Sequence, residues 1–290
     1  MQPRTDWGHV LDEARGIVES YDTLVTLRQL FYRLVARQLI PNTQSAYKNL
    51  SARTADARRA GDFPPLFDQT RGIERRPAFR SPGAAVATIL RIYRRDRTEN
   101  QDVSVYLAVE KAGLVNQLMD WFGDPMGIPV LPLRGYSSVP FESAVIADVG
   151  RAERPAILIY AGDHDASGWD IDRNFIDQTD CWAKVIRVAL DPGLVAEHGL
   201  ARQRGKHLDS RVEGFVARFG DAALYDPASP YIYEGGKRYW LPVQVELDAL
   251  DPDVLRGLFA DAIAPFWGTS TYDAVLEREA AERAELERLT

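Results

Sequence analysis

The sequence predicts an α/β protein, a mostly parallel sheet with helices on both faces, preceded by a smaller helical unit. Three observations carry this. From about residue 103 onward, short β-branched apolar runs alternate with amphipathic stretches, the rhythm of βαβ units. The runs Val103–Val109 and Ile157–Ala161 are apolar on both faces, as strands buried in a parallel sheet are. Before residue 100 the apolar spacing is helical, and the polar run Glu99-Asn100-Gln101-Asp102 then breaks the pattern. The expected units are residues 1–98 and 99–290.

The first unit reads as helices. Val10, Ala14 and Val18 share one face of a stretch over 7–20, and Thr26 caps a second helix whose apolar stripe is Leu27, Leu30, Phe31, Leu34 and Val35. Arg28 and Tyr32, four apart, lie side by side next to that stripe. After Pro41-Asn42-Thr43 a third helix runs to about Ala60, carrying Lys48, Arg53, Arg58 and Arg59. The segment IERRPAF (73–79) reads as a short wing strand, and a further helix over 83–97 ends in the basic run RIYRRDR. Three helices, the third basic, with a wing resemble a winged-helix DNA-binding unit. Its segment 23–80 carries 11 basic and 4 acidic residues, as contact with phosphates requires.

The second unit alternates. Strands are expected at 104–109, 128–132, 155–161, 184–189 and 243–247. Helices are expected at 112–122, 140–153, 168–178, about 209–219, 252–266 and 272–288. The last, EREAAERAELERL, reads as a solvated or partner-facing amphipathic helix.

Composition narrows the class. Hydrophobic content of 46% with 27% charged residues is that of a soluble globular protein. No apolar run has the length of a membrane span, and no basic-then-apolar leader opens the chain, so a cytoplasmic, nucleoid-associated protein without membrane contact is expected. One cysteine, Cys181, excludes an internal disulfide and a cysteine-based zinc site. The net charge of −7 conceals a division: residues 1–100 carry 17 Lys+Arg against 11 Asp+Glu, a net +6, and the remainder 18 against 31, a net −13. A basic block before an acidic one points to nucleic-acid contact by the first.

The candidate chemistry lies where strands end in acids. Val109 is followed by Glu110, and ILIYAGDHD closes on Asp163 and Asp165. Ligands of open α/β sheets bind at the carboxyl ends of the strands, so the three acids converge on one rim. Crowded carboxylates repel one another unless a cation sits among them, and their hard oxygens suit Mg²⁺. Asp165 or Ser167 also has the place of an N-cap before the helix that follows. Glu246, Asp248 and Asp209 are expected to be peripheral, as caps or solvated acids at a sheet edge. The loop Arg134-Gly135-Tyr136-Ser137-Ser138 is a candidate for DNA backbone contact, and Cys181 for packing.

These pieces resemble a known family. Val109-Glu110-Lys111-Ala112 and Gly162-Asp163-His164-Asp165-Ala166-Ser167-Gly168, in this order, are similar to the two acidic segments of the Toprim domain, and specifically to those of the topoisomerase VI A subunit and its Spo11 relatives. Thr26-Leu27-Arg28-Gln29-Leu30-Phe31-Tyr32 resembles the segment that carries their DNA-breaking tyrosine. The three segments span most of residues 20–180. His164 stands where the pattern has glycine, and Ala166 where it has proline. The chain is also closer in length to compact A-like proteins than to a full A subunit.

The resemblance implies a Toprim-type domain and Mg²⁺-dependent DNA cleavage by transesterification, with Tyr32 as nucleophile. Arg28 would hold the phosphate or assist the phenol. Glu110, Asp163 and Asp165 would hold the metal, and Lys48, Arg53, Arg58 and Arg59 would contact DNA. It also implies a homodimer, in which the tyrosine of one copy serves the acids of the other, and a separate ATPase subunit for topoisomerase activity. The chain itself lacks a GxxxxGK[ST] phosphate loop. Two alternatives stand beside this reading. One is a Toprim nuclease that uses water, with the layout of Wadjet-type anti-plasmid nucleases, in which Tyr32 is structural. The other is a DNA-binding protein without activity.

Overall fold

The computed structural model describes residues 5–23, 25–67, 78–133 and 135–288. The chain opens with α1 (Trp7–Glu19), α2 (Leu27–Ala36) and α3 (Gln44–Ala60), each begun by an oxygen-bearing cap: Asp6, Thr26 and Thr43. Thr26 and Gln29 form a full capping box, which sets where α2 starts and therefore which way Arg28 and Tyr32 face. The three helices close over a core of Val10, Ile17, Leu30, Phe31, Leu34 and Leu50. Most of the expected wing, residues 73–77, lies outside the described residues, so what is observed is a three-helix cluster.

Helix α4 (Pro82–Ile92) follows and buries none of its side chains. It stops at Ile92 rather than continuing through the basic run as expected. Three of its residues are instead held by the terminal helix: Arg97 Nη2 lies 2.8 Å from Glu279 Oε1, and Tyr93 and Arg95 both contact Glu282.

The second unit is built on β1 (Ser104–Val109), β2 (Val130–Pro132), β3 (Ala156–Ala161) and β4 (Lys184–Ala189), parallel in the order β2-β1-β3-β4. Every residue of β1 and β3 is buried. Successive side chains leave opposite faces of a strand. Val105, Leu107, Val109, Ile157 and Ile159 therefore enter one core, and Tyr106, Ala108, Leu158 and Tyr160 another. Between β1 and β2 lie α5 (Ala112–Leu118), a π-helical turn at Met119–Gly123 and the single turn α6 (Asp124–Met126). Helices α7 (Val139–Ala152) and α8 (Gly168–Thr179) cover the second face through Val145, Val149, Ile171 and Phe175. Helices on both faces of a parallel sheet were expected and are observed.

Beyond β4 come α9 (Pro192–Glu197), β5 (Gln203–Arg204), α10 (Val212–Phe219), the hairpin β6 (Tyr231–Glu234) and β7 (Lys237–Trp240), β8 (Val243–Gln244), α11 (Pro252–Ile263) and α12 (Thr269–Arg288). The hairpin was not anticipated, although Gly235-Gly236, both with positive φ, is a strong two-residue turn signal between aromatic and β-branched residues. Strand β8, shorter than expected, pairs antiparallel with β5. Phe215 of α10 and Leu255, Phe259 and Ile263 of α11 fill the first core. The two units are joined along α2: Arg33 Nη2 lies 2.6 Å from Asp251 Oδ2, and Gln29 Nε2 donates to Gln117 Oε1 at 3.2 Å. Among the described residues no helix is long and apolar enough to cross a membrane.

Candidate functional site

The parallel register pairs Val109 with Ala161, so β1 and β3 end level and release Glu110-Lys111 and Gly162-Asp163 at the same edge. There the two loops are tied together. The Glu110 N–H donates to the Ala161 carbonyl and the Asp163 N–H to Glu110 Oε2, both at 3.2 Å. The glycine of the second acidic segment is required by space: a Cβ on Gly168 would come within 2.6 Å of the Asp163 carbonyl oxygen.

A third segment, whose acids read as peripheral in the sequence, completes the site. His164 and Val245 exchange backbone hydrogen bonds of 3.0 and 3.1 Å. This lays the end of β8 against the DxD loop. The Leu247 N–H then reaches Asp163 Oδ1 at 2.8 Å. Glu246 and Asp248 are each only 4% exposed. Neither is solvated, and Glu246, at the N-cap position of the 3-10 turn Leu247–Ala249, makes no capping bond with its side chain, because the chain returns here across the carboxyl edge of the sheet. Lys111 Nζ donates to Asp163 and, at 2.6 Å, to Glu246 Oε2.

Helix α2 delivers the other two expected residues. The Tyr32 hydroxyl donates to Glu246 Oε1 at 3.2 Å, and Arg28 Nη2 lies 3.3 Å from Glu246 Oε2. Arg28 Nε stands 3.6 Å from Asp248 Oδ2, and its guanidinium is 5.3 Å from the Tyr32 ring centre. Gln244 Nε2 adds a 2.8 Å bond to Glu246 Oε1. Tyr32, Arg28 and Lys111 thus meet on one carboxylate of their own chain.

Crowding of acids in a buried place sets the electrostatics. Burial pushes Glu110 up and Asp163 well up from the ordinary carboxylate range, and Lys111 offsets part of this in each. Burial raises Glu246 as well, but Lys111 and Arg28 outweigh it and hold Glu246 below its usual range. Lys111 is held charged: burial opposes the ammonium, and Asp163 and Glu246 outweigh burial. The Tyr32 phenol is pushed up to about 12, first by burial and then by the charge of Glu246. Asp248 rises to about 6 by burial.

Arg28, Glu110, Lys111, Asp163, Asp165 and Glu246 line one cavity of about 190 Å³. Its donor set of carboxylate oxygens suits a hard divalent cation, and the raised Glu110 and Asp163 are groups that a further positive charge would keep ionised. The centre, however, is held by the Lys111 ammonium. Among the described residues no three Asp, Glu, His or Cys side chains are arranged as a ligand cage.

The remaining candidates divide. Asp165 Oδ1 accepts from the Gly168 N–H at 2.7 Å and from Ser167 Oγ at 3.0 Å, so it caps α8 while lining the cavity. His164 is turned away from the acids into Trp169, Phe215 and Phe219. Its Nδ1 accepts from Trp169 Nε1 at 3.0 Å, which leaves Nε2 to donate to the Ala222 carbonyl, and burial lowers its pKa. Asp209, also on the cavity wall, is held by Arg211.

On α3, Lys48 is exposed, the Arg53 guanidinium covers the Trp7 ring at 5.0 Å, and Arg59 pairs with Asp56 at 2.9 Å. Arg58 faces a second cavity, shared with Arg28, Glu110 and Lys111. In the loop after β2, Tyr136 contacts Asp170 and Arg211, and Arg134 lies outside the described residues. Cys181 packs beside the second core. No protein-family model and no curated protein sequence matches the chain.

Proposed function

We propose that this chain breaks DNA strands by attack of the Tyr32 phenol on a phosphodiester, at the cavity between α2 and the carboxyl edge of the Toprim-type sheet. The observation that carries this reading is that one carboxylate, Glu246, holds the phenol of Tyr32 on one oxygen and the Lys111 ammonium on the other. The phenol oxygen forms the new bond to phosphorus as the bond to the 3′ oxygen breaks, leaving the strand's 5′ end on the tyrosine. Glu246, already touching the hydroxyl, takes its proton. Lys111 supplies a proton to the departing 3′ oxygen, and Arg28 holds the phosphate. Glu110, Asp163 and Asp165 would hold Mg²⁺, which supplies positive charge to the attacked phosphate.

The resemblance adds a second copy of the chain and, for strand passage, a separate ATPase subunit. The basic α3 would follow the DNA backbone.

A hydrolytic nuclease is the second reading. What favours it is the high pKa of Tyr32, which keeps the phenol a neutral hydrogen-bond donor to Glu246. Supercoiled plasmid and Mg²⁺ separate the two. Protein found covalently on 5′ ends after denaturation, and absent with Tyr32→Phe, supports the tyrosine. Cutting by Tyr32→Phe alongside an inert Asp163→Asn supports water as nucleophile. DNA binding without cutting under any divalent metal overturns both.

A further inference from the structure

Beside the acid cavity lies a larger one of about 640 Å³, between α3, the chain after it and the start of α5. This is within the range of cavities that take a small ligand. One wall is apolar and partly aromatic, formed by Tyr47, Leu66 and Phe67, each half-buried. Arg28 and Arg58 bring guanidinium groups to the same space. Asp248 sits at its margin, with Oδ2 3.6 Å from Arg28 Nε and Oδ1 buried away from the open space.

We propose that this cavity receives one unstacked nucleotide of a DNA strand. The base lies against Tyr47 and Phe67, and its phosphate meets Arg58. An aromatic wall binds the π-face of a base with little regard to sequence. Arg28, Glu110 and Lys111 line this cavity and the acid cavity alike, so a strand seated in one presents its neighbouring phosphate to the other. The site deepens the cleavage reading, but its binding chemistry is measurable without any cleavage.

The probes are 2-aminopurine deoxynucleoside 5′-monophosphate and a single-stranded oligonucleotide with one 2-aminopurine, both without divalent metal. The oligonucleotide is expected to bind with a change in 2-aminopurine emission, and the monophosphate to bind more weakly. Arg58→Gln and Phe67→Ala, each with wild-type circular dichroism, should lower the strand affinity about tenfold or more. Arg58 lies on a helix flank, so its variant tests the site even where Phe67→Ala does not fold. Strand binding without emission change, unaltered affinity in Arg58→Gln, or binding of the monophosphate alone overturns the proposal. A protein that passes these tests yet never cuts plasmid defeats only the cleavage reading. Cutting with unaltered nucleotide binding in the variants defeats only this site.

Discussion

Tyr32 and Glu246 stand 214 positions apart in the chain, and the phenol of one donates a 3.2 Å hydrogen bond to Oε1 of the other. Negative charge beside a phenol opposes its ionisation, and Glu246 is the second cause, after burial, of the raised Tyr32 pKa. Glu246→Gln keeps the shape and removes the charge. The Tyr32 pKa should therefore fall, which NMR of ring-labelled tyrosine, assigned with Tyr32→Phe, will register. Plasmid cleavage should drop about 100-fold as the proton acceptor is lost. Unchanged cleavage would remove Glu246 from the chemistry.

Lys111 is the cation of a buried site, with its side chain 12% exposed against 4% and 5% for those of Asp163 and Glu246. Removing one partner of a buried ion pair leaves an uncompensated charge and costs about 3–5 kcal/mol. Lys111→Met should lose stability of that order in urea unfolding at neutral pH. The loss should shrink as pH falls, because both acids, buried without a cation, then take up protons more readily folded than unfolded. A loss that grows toward low pH would contradict this arrangement.

Asp248 gives the wild-type protein its own pH signature. Its folded pKa, about 6, lies above the ordinary 3.8. The folded state therefore binds the proton more tightly, and the contribution is full below about pH 3.8 and lost as pH rises through 6. At 1.36 kcal/mol for each tenfold step in acidity, the swing is about 3 kcal/mol. Asp248→Asn should flatten unfolding free energy across that window.

Two basic segments that look alike in sequence should behave differently. Arg97 and Glu279 form an ion pair with side chains 15% and 5% exposed. Arg97→Ala is expected to destabilise the fold by about 3 kcal/mol and leave the salt dependence of DNA binding unchanged. Lys48, exposed on α3, should do the reverse: Lys48→Ala lowers the slope of log affinity against log salt by about one, with no change in thermal stability. Fluorescence titrations at several salt concentrations and thermal melts check both.

What the sequence by itself determined is what local periodicity encodes. Alternation of apolar runs and amphipathic stretches is visible without coordinates because hydrogen bonding and burial within a strand or helix repeat every two or 3.6 residues. That placed β1 and β3 and their terminal acids. With the capping signal at Thr26, it also placed Arg28 and Tyr32 on one helix face.

The tertiary structure decided the rest. Glu246 lies in the strand expected at 243–247 and reads as a peripheral acid; it is central only because Val245 pairs with His164. Lys111 reads as one more basic residue until two acids from distant segments close around it. The run at 91–97 reads only as very basic until Glu282 and Glu279 of α12 pair with its Arg95 and Arg97. Charge is a property of each residue, but its pairing depends on which segments, here more than 130 positions apart, the core brings together.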